Sequence, residues 1–279
     1  MFNALFTKTE EYNKLAQALG SPGACALFGV PGAGRALIYA ALAQALGRPL
    51  CIVTPGEAEA TRFAGDLNAL GIAAAVFPAR DYVLRPIEGT GREYEYRRLA
   101  VLGDLVGGRL QAVCVPDEGL TQYTTPRAEF CANTRTLHPG DTLPRAELTA
   151  LLYGAGYARR DQVDGPGQFS IRGDIVDIYA PDMHQPARVE YWDDEIDSLA
   201  SFDLLTQRRD GSLEKIYLSP AREVLFGNTV QTAEALRDAW KKARGKHRAA
   251  LEKAMEADLA QLDSGLMPEA MDKYYGLRY

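Results

Sequence analysis

From Gln168 to Arg209 the chain reads QFSIRGDIVDIYAPDMHQPARVEYWDDEIDSLASFDLLTQRR, and its period-two alternation allows few folds. Ile175 to Tyr179 and Ala187 to Trp192 alternate apolar with polar residues, and Ile196 to Leu205 begins a further strand. The links are turn chemistry: Ala180 to Pro186 holds two prolines, and Asp193-Asp194 closes a second turn. An antiparallel meander follows. Alternate side chains share a face, so Val189 and Tyr191 point one way and Arg188, Glu190 and Trp192 the other. The first set fits a core. The second puts a guanidinium, a carboxylate and an indole on a face expected to be wet, a combination typical of protein-binding hot spots. Arg172, just before Gly173, adds a second guanidinium nearby. On alternation alone, the stretch also fits a plain antiparallel sheet whose Arg-Gly and Asp-Asp pairs are only turns.

A chain of 279 residues exceeds one small domain and suggests two or three. Its hydrophobic fraction of 47% is enough for real cores, and its net charge of −6 argues against general nucleic-acid binding, which needs a basic footprint. No apolar run reaches the length of a membrane span, and the start, MFNALFTKTEEYNKL, carries acids where a signal peptide would not. Cys25, Cys51, Cys114 and Cys131 are scattered without a CxxC pair, three of them in apolar strand-like runs, and are read as buried, reduced thiols of a cytoplasmic protein, not as zinc ligands. His138, His184 and His247 are equally scattered, so no metal site or nucleophilic triad is expected.

Nearer the start, after a short helical pattern at Glu10 to Leu19, Ala24 to Gly47 reads ACALFGVPGAGRALIYAALAQALG. An apolar strand, Ala24 to Phe28, is expected to enter a Gly-rich turn and leave as a helix. This is the setting of a phosphate-binding P-loop, where loop amides and a helix N-terminus together favour an anion. Against the pattern GxxxxGK[ST], the glycines are Gly29 and Gly34 with Gly32 between them, but Arg35 holds the Lys position and Ala36 the Ser/Thr position. Arg is bulkier and planar. Ala36 has no hydroxyl for Mg²⁺. The loop therefore reads as degenerate, with Gly29, Gly32, Gly34 and Arg35 as a remnant nucleotide loop and no catalytic residue.

Strands at Leu50 to Thr54, Ala74 to Phe77 and Leu110 to Val115 alternate with helices at Glu57 to Leu70 and Arg92 to Val106, which indicates a parallel α/β sheet. In the link from Phe77 to Leu99, Arg80, Arg85, Arg92, Arg97 and Arg98 are mixed with Tyr82, Tyr94 and Tyr96. Such interleaving can bind single-stranded nucleic acid, though a solvated loop and helix N-terminus is the plainer reading. Turn residues dominate from Thr124, and a boundary is placed near Cys131. A helix at Arg145 to Gly154 plus the meander makes a compact α+β unit of about ninety residues, with Arg159 and Arg160 as further positive charge. Thr232 to Leu262 reads as one long charged helix whose middle carries Lys241, Lys242, Arg244, Lys246 and Arg248.

The runs IRGDIVDIYAP and RVEYWDDEIDSLASFDLLTQR, with GYARRDQV before them, resemble the UvrA-binding domain shared by the repair helicase UvrB and the transcription-repair coupling factor family, Mfd. The resemblance covers nearly all of the chain and favours the coupling factors. UvrB would keep the P-loop Lys and Thr, and the segment before Arg92 is too short for UvrB's DNA-clamping hairpin. The resemblance implies an N-terminal piece of a longer protein. Residues 1–130 would be a degenerate P-loop, helicase-like α/β domain, 131–219 an inserted α+β UvrA-binding domain, and 220–279 a helical segment returning to the first domain. It implies that Arg172, Arg188 and Trp192 contact UvrA. It also implies that RNA polymerase, DNA, ATP and magnesium belong to other parts of the parent, an ATP-driven translocase acting in transcription-coupled nucleotide excision repair. No cofactor and no membrane contact are expected here. Two rivals remain: an active P-loop ATPase, and a UvrB-type fragment that verifies DNA damage.

Overall fold

The computed structural model describes residues 7–80, 92–226, 229–242, 248–268 and 271–277. Tyr82 and Arg85 of the basic link, and Arg244, Lys246 and His247 of the late helical segment, lie outside the described residues. The chain divides into two compact units, residues 1–80 with 100–122, and residues 81–99 with 123–279.

The first unit contains α1 (Glu10–Leu19), α2 (Gly32–Ala45), β1 (Leu50–Thr54), α3 (Glu57–Ala69), β2 (Ala74–Val76), the C-terminal part of α4 (Glu93–Val106), β3 (Ala112–Pro116) and α5 (Asp117–Leu120). The strands form a parallel sheet in the order β1-β3-β2, as the alternation of strands and helices predicts. Ala36, Ala40 and Ala43 recur at helical spacing and make a smooth stripe on α2. That stripe packs with Ile52 of β1 and with Ala60, Phe63 and Leu67 of α3. A second stripe, Ile38 and Leu42, packs with Tyr12 and Leu15 of α1. α2 is therefore apolar around most of its circumference because it is covered on two sides.

Ala24 to Phe28 does not form the expected strand. It pairs with no neighbour among the described residues, and Leu27 and Phe28 are 49% and 88% exposed. Cys25 in the same segment is exposed too, as is Cys51 of β1, so of the four cysteines expected to be buried only Cys114 is. Apolar composition favours a strand only where a partner can take its ladder hydrogen bonds and cover its side chains. Neither is supplied to this segment.

The second unit contains the N-terminal part of α4, α6 (Arg127–Ala132), β4 (Arg135–Leu137), α7 (Arg145–Gly154), β5 (Ala158–Arg159), β6 (Gln168–Arg172), β7 (Ile175–Tyr179), β8 (Ala187–Trp192), β9 (Glu195–Phe202), β10 (Arg209–Ser212), β11 (Ile216–Leu218), α8 (Thr229–Lys242), α9 (Arg248–Asp263) and a 3-10 turn at Met271–Leu277. Its main sheet runs β10-β9-β8-β7-β6-β5, antiparallel except for β5 beside β6. One face carries Phe169, Val176, Ile178, Val189 and Leu199, each at most 1% exposed, in one cluster with Leu148 and Leu152 of α7. Burying each side chain of this size contributes roughly 1.5–3 kcal/mol. β4 and β11 pair antiparallel, Leu137 opposite Ile216, and bring together the two ends of the segment that holds the sheet.

The expected helix from Thr232 to Leu262 is two helices, α8 and α9, and residues 243–247 between them lie outside the described residues. Ala233, Leu236, Met255 and Leu262 hold these helices together, and both group with the second unit.

Candidate partner-binding face

Strand parity in β8 follows the sequence reading. Ala187, Val189 and Tyr191 are buried, whereas Arg188, Glu190 and Trp192 lie on the opposite face. The three predicted contact residues nevertheless differ in character. Trp192 is 80% exposed. The Arg188 side chain is only 13% exposed, and that of Arg172 is 45% exposed.

The difference comes from Asp177, the central residue of β7. Register places Asp177 directly opposite Arg188 on β8 and opposite Ser170 on β6. Arg188 Nε donates to Asp177 Oδ1 at 2.7 Å and Nη2 to Oδ2 at 3.0 Å. Arg172 Nη2 also donates to Oδ2, so two guanidiniums share one fully buried carboxylate. The Arg188 guanidinium also lies 4.9 Å from the centroid of the Phe202 ring. The Asp177 hydrogen bonds hold the Arg188 pKa above its ordinary value, against the opposing effect of burial.

The face expected to be wet is therefore dry in its middle. Ser170, Asp177, Ala200 and Phe202 are fully buried there. A charge can be buried on a polar face when its partners satisfy it, and a planar guanidinium matched to a carboxylate does so bidentately. The alternation in IVDIY gave no sign that Asp177 anchors both arginines.

Trp192 escapes this burial because it ends its strand. Glu195 is its direct cross-strand partner, and Asp193-Asp194 joins the two as a two-residue hairpin turn. Asp193 takes φ +58°, a conformation such turns need and Asp tolerates. A bulge between Glu190 and Tyr191 shifts the register just before the indole. On its outer side, the start of β9 is held by backbone bonds from Gly140 N to Ile196 O and from Leu143 N to Asp194 O. The neighbouring β6–β7 turn adjoins the same end of the sheet: Asp174 O accepts from Tyr191 N at 2.9 Å. Arg172 precedes that turn, so Arg172 and Trp192 share one end of the sheet.

A second charged centre escaped the sequence reading. Arg98 of α4 and Glu223 are both fully buried and bidentate, Nε to Oε2 at 2.8 Å and Nη2 to Oε1 at 2.7 Å. The Glu223 amide donates to Glu95 Oε1 at 2.9 Å, and Thr125 Oγ1 donates to the Glu223 carbonyl. Burial raises the Glu95 pKa, and Arg92 works against that shift. These bonds tie the N-terminal part of α4 to segments that lead into and out of the sheet. The sequence groups Arg98 with the solvated residues of a basic link, and its partner is 125 residues away.

The Gly-rich loop is open. Gly29 takes φ +76°, and α2 begins at Gly32 after Pro31, without a side-chain cap. Gly34 lies in the first turn, where an added Cβ would approach Val30 Cγ1 at 3.1 Å. Arg35 is exposed, but Ala36, at the position where a P-loop carries its hydroxyl, is 4% exposed and belongs to the core with Ile52 and Ala60. A cleft of about 520 Å³ beside the loop is lined by apolar side chains such as Leu15, Phe28 and Ile38, with Arg35 as its charged residue. Among the described residues, no cluster of His, Cys, Asp and Glu could hold a metal. No helix there is long and apolar enough to cross a membrane.

Residues 136–224 match the family model of the UvrB interaction domain. This span starts in β4, encloses the whole six-stranded sheet and ends just past Glu223. The transcription-repair-coupling factor of Bacillus subtilis (strain 168) is 29% identical over 202 residues, which cover 72% of this chain and 17% of that protein. That of Staphylococcus aureus (strain Mu50 / ATCC 700699) is 26% identical over 263 residues, 94% of this chain and 22% of the relative. That of Staphylococcus haemolyticus (strain JCSC1435) is 29% identical over 187 residues. Residues 136–224 are thus similar to a UvrB interaction domain. More particularly, most of the chain is similar to transcription-repair-coupling factors, and it spans about a fifth of the length of the curated relatives it matches.

Proposed function

We propose that this chain is the N-terminal part of a cytoplasmic transcription-repair coupling factor, and that its UvrB interaction domain recruits the excision-repair ATPase UvrA. The observation that carries this reading is Trp192: a large aromatic side chain, 80% exposed, at the end of a rigid sheet inside the matched domain. Aromatic side chains on a fixed scaffold make strong anchors because little rotamer freedom is lost on binding. Arg172, Arg188 and Trp192 are the proposed contact residues, in different roles. Trp192 is the anchor, Arg172 offers its exposed part to the partner, and Arg188 fixes the strand beneath them.

The domain limits 1–130, 131–219 and 220–279 belong to this reading, as does a degenerate nucleotide loop at Gly29, Gly32, Gly34 and Arg35. The chain itself then hydrolyses no ATP. Translocation, with its ATP and magnesium, and contacts to RNA polymerase and DNA belong to the rest of the parent. The burial of Ala36 supports the loss of metal binding, because a hydroxyl at that position would sit in the core rather than at a phosphate.

The test is a pull-down with purified UvrA at physiological salt. Retention of UvrA by the wild-type chain is expected. No retention, with the chain folded by circular dichroism, would contradict the reading.

A further inference from the structure

We infer that the exposed indole of Trp192 receives a cationic side chain, arginine or lysine, from the protein that docks on this face. The inference rests on the UvrA-recruiting reading and adds the charge of the group that meets Trp192. The two arginines nearby suggest an acidic partner at first sight, but both donate to Asp177. Along the hairpin that carries Trp192 the charge is negative, and Arg145 at the same end of the sheet is paired with Asp174. From Val189 to Gln207 the sequence holds six acids, Glu190, Asp193, Asp194, Glu195, Asp197 and Asp203, and no Lys or Arg.

Fold and register bring these acids to the indole. Glu195 faces Trp192 directly across the strand pair, and such partners hold their Cβ atoms about 4.5–5.5 Å apart on one face. Asp193 and Asp194 form the turn between them. Two acids of this end of the sheet are already engaged: Glu190 accepts from Ser198 and pairs with Arg209 at 3.3 Å, and Asp174 pairs with Arg145 at 2.9 Å. Asp193, Asp194, Glu195 and Asp197 are exposed and make no ion pair among the described residues.

An indole face attracts a cation through its quadrupole, Trp most strongly of the aromatic residues. A carboxylate beside the ring strengthens that attraction and repels an anion. A guanidinium fits best, since it can stack on the ring while its edge donates to Glu195 or Asp194. The face is thus bipolar, with the positive charge of Arg172 at one side of the sheet end and an acid-rimmed aromatic at the other.

The test has two arms. In the first, Trp240→Phe leaves Trp192 as the sole tryptophan, and its fluorescence is quenched with caesium and with iodide, each normalised to N-acetyltryptophanamide. Caesium should quench more effectively than iodide, and Asp194→Lys with Glu195→Lys should reverse the order. Equal quenching, or stronger iodide quenching of the parent, would overturn the inference without any partner present. In the second arm, UvrA is titrated against the charge-reversed variant, which should bind at least about tenfold more weakly at an unchanged melting temperature. Unchanged or tighter binding by that variant would overturn the cation proposal while leaving UvrA recruitment intact. A wild-type chain that does not bind UvrA would instead defeat the recruitment reading, and the quenching order would then decide the charge proposal alone.

Discussion

In the second unit every strand from β10 to β5 lies against a neighbour, whereas in the first unit Ala24 to Phe28 runs beside no strand among the described residues. Both segments are apolar and bounded by turn residues. The meander carries its partners within one stretch of sequence, so each strand meets the next through a short link. The segment before the Gly-rich loop depends on a strand from elsewhere. The charges follow the same division. Arg188 is fixed by a carboxylate 11 residues away on the adjacent strand, while Arg35 projects beside an open cleft. A region that closes its own hydrogen bonds can present a rigid binding face. A region that does not leaves apolar side chains such as Leu27 and Phe28 in solvent.

The largest losses are expected at the buried charges of the second unit. Arg98→Ala leaves Glu223 buried without its guanidinium and should cost about 3–5 kcal/mol, read by urea unfolding. Arg98→Met combined with Glu223→Leu should recover much of that loss, because a well-packed apolar pair avoids the desolvation of both ions. If the double variant is as unstable as the single one, the pair is not the joint described here. Asp177→Ala strands two guanidiniums, one of them largely buried, and should cost on the order of 3 kcal/mol. A loss below about 1 kcal/mol would mean that the dry middle of the face does not depend on Asp177.

The first unit should respond far less. Phe28→Ser should change stability by no more than about 0.5 kcal/mol, since the ring is largely in solvent. A loss near 3 kcal/mol would restore the expected core strand. ATP turnover, followed by phosphate release, should stay at background. Turnover abolished by Gly34→Asp would return the loop to a working nucleotide site.

Period two was enough to sort β8 into buried Val189 and Tyr191 and opposite-facing Arg188 and Trp192, because alternation is local. It could not tell how deeply the second set would be covered. That depended on Asp177 meeting Arg188 across a seven-residue link, Ala180 to Pro186, whose length hides the register. The acid rim of Trp192 is plain in WDDE, but turn chemistry alone accounts for Asp193-Asp194 until Glu195 is known to pair with Trp192. Arg98 and Glu223 were out of reach for a different reason, since nothing local in either segment announces a partner so distant in sequence. At Ala24 to Phe28 the apolar pattern was real and the inference from it was wrong, because strand formation is decided by neighbours.

Trp192 is the proposed anchor; Arg172 adds a lesser contact, and Asp177 and Arg188 hold the strands beneath. Isothermal titration of UvrA into the wild-type chain and Trp192→Ala, with a thermal melt of each, tests this most directly. The expected result is an affinity loss of about thirtyfold or more, roughly 2 kcal/mol, with an unchanged melting temperature. Wild-type affinity in Trp192→Ala, or a binding loss matched by unfolding, would contradict it.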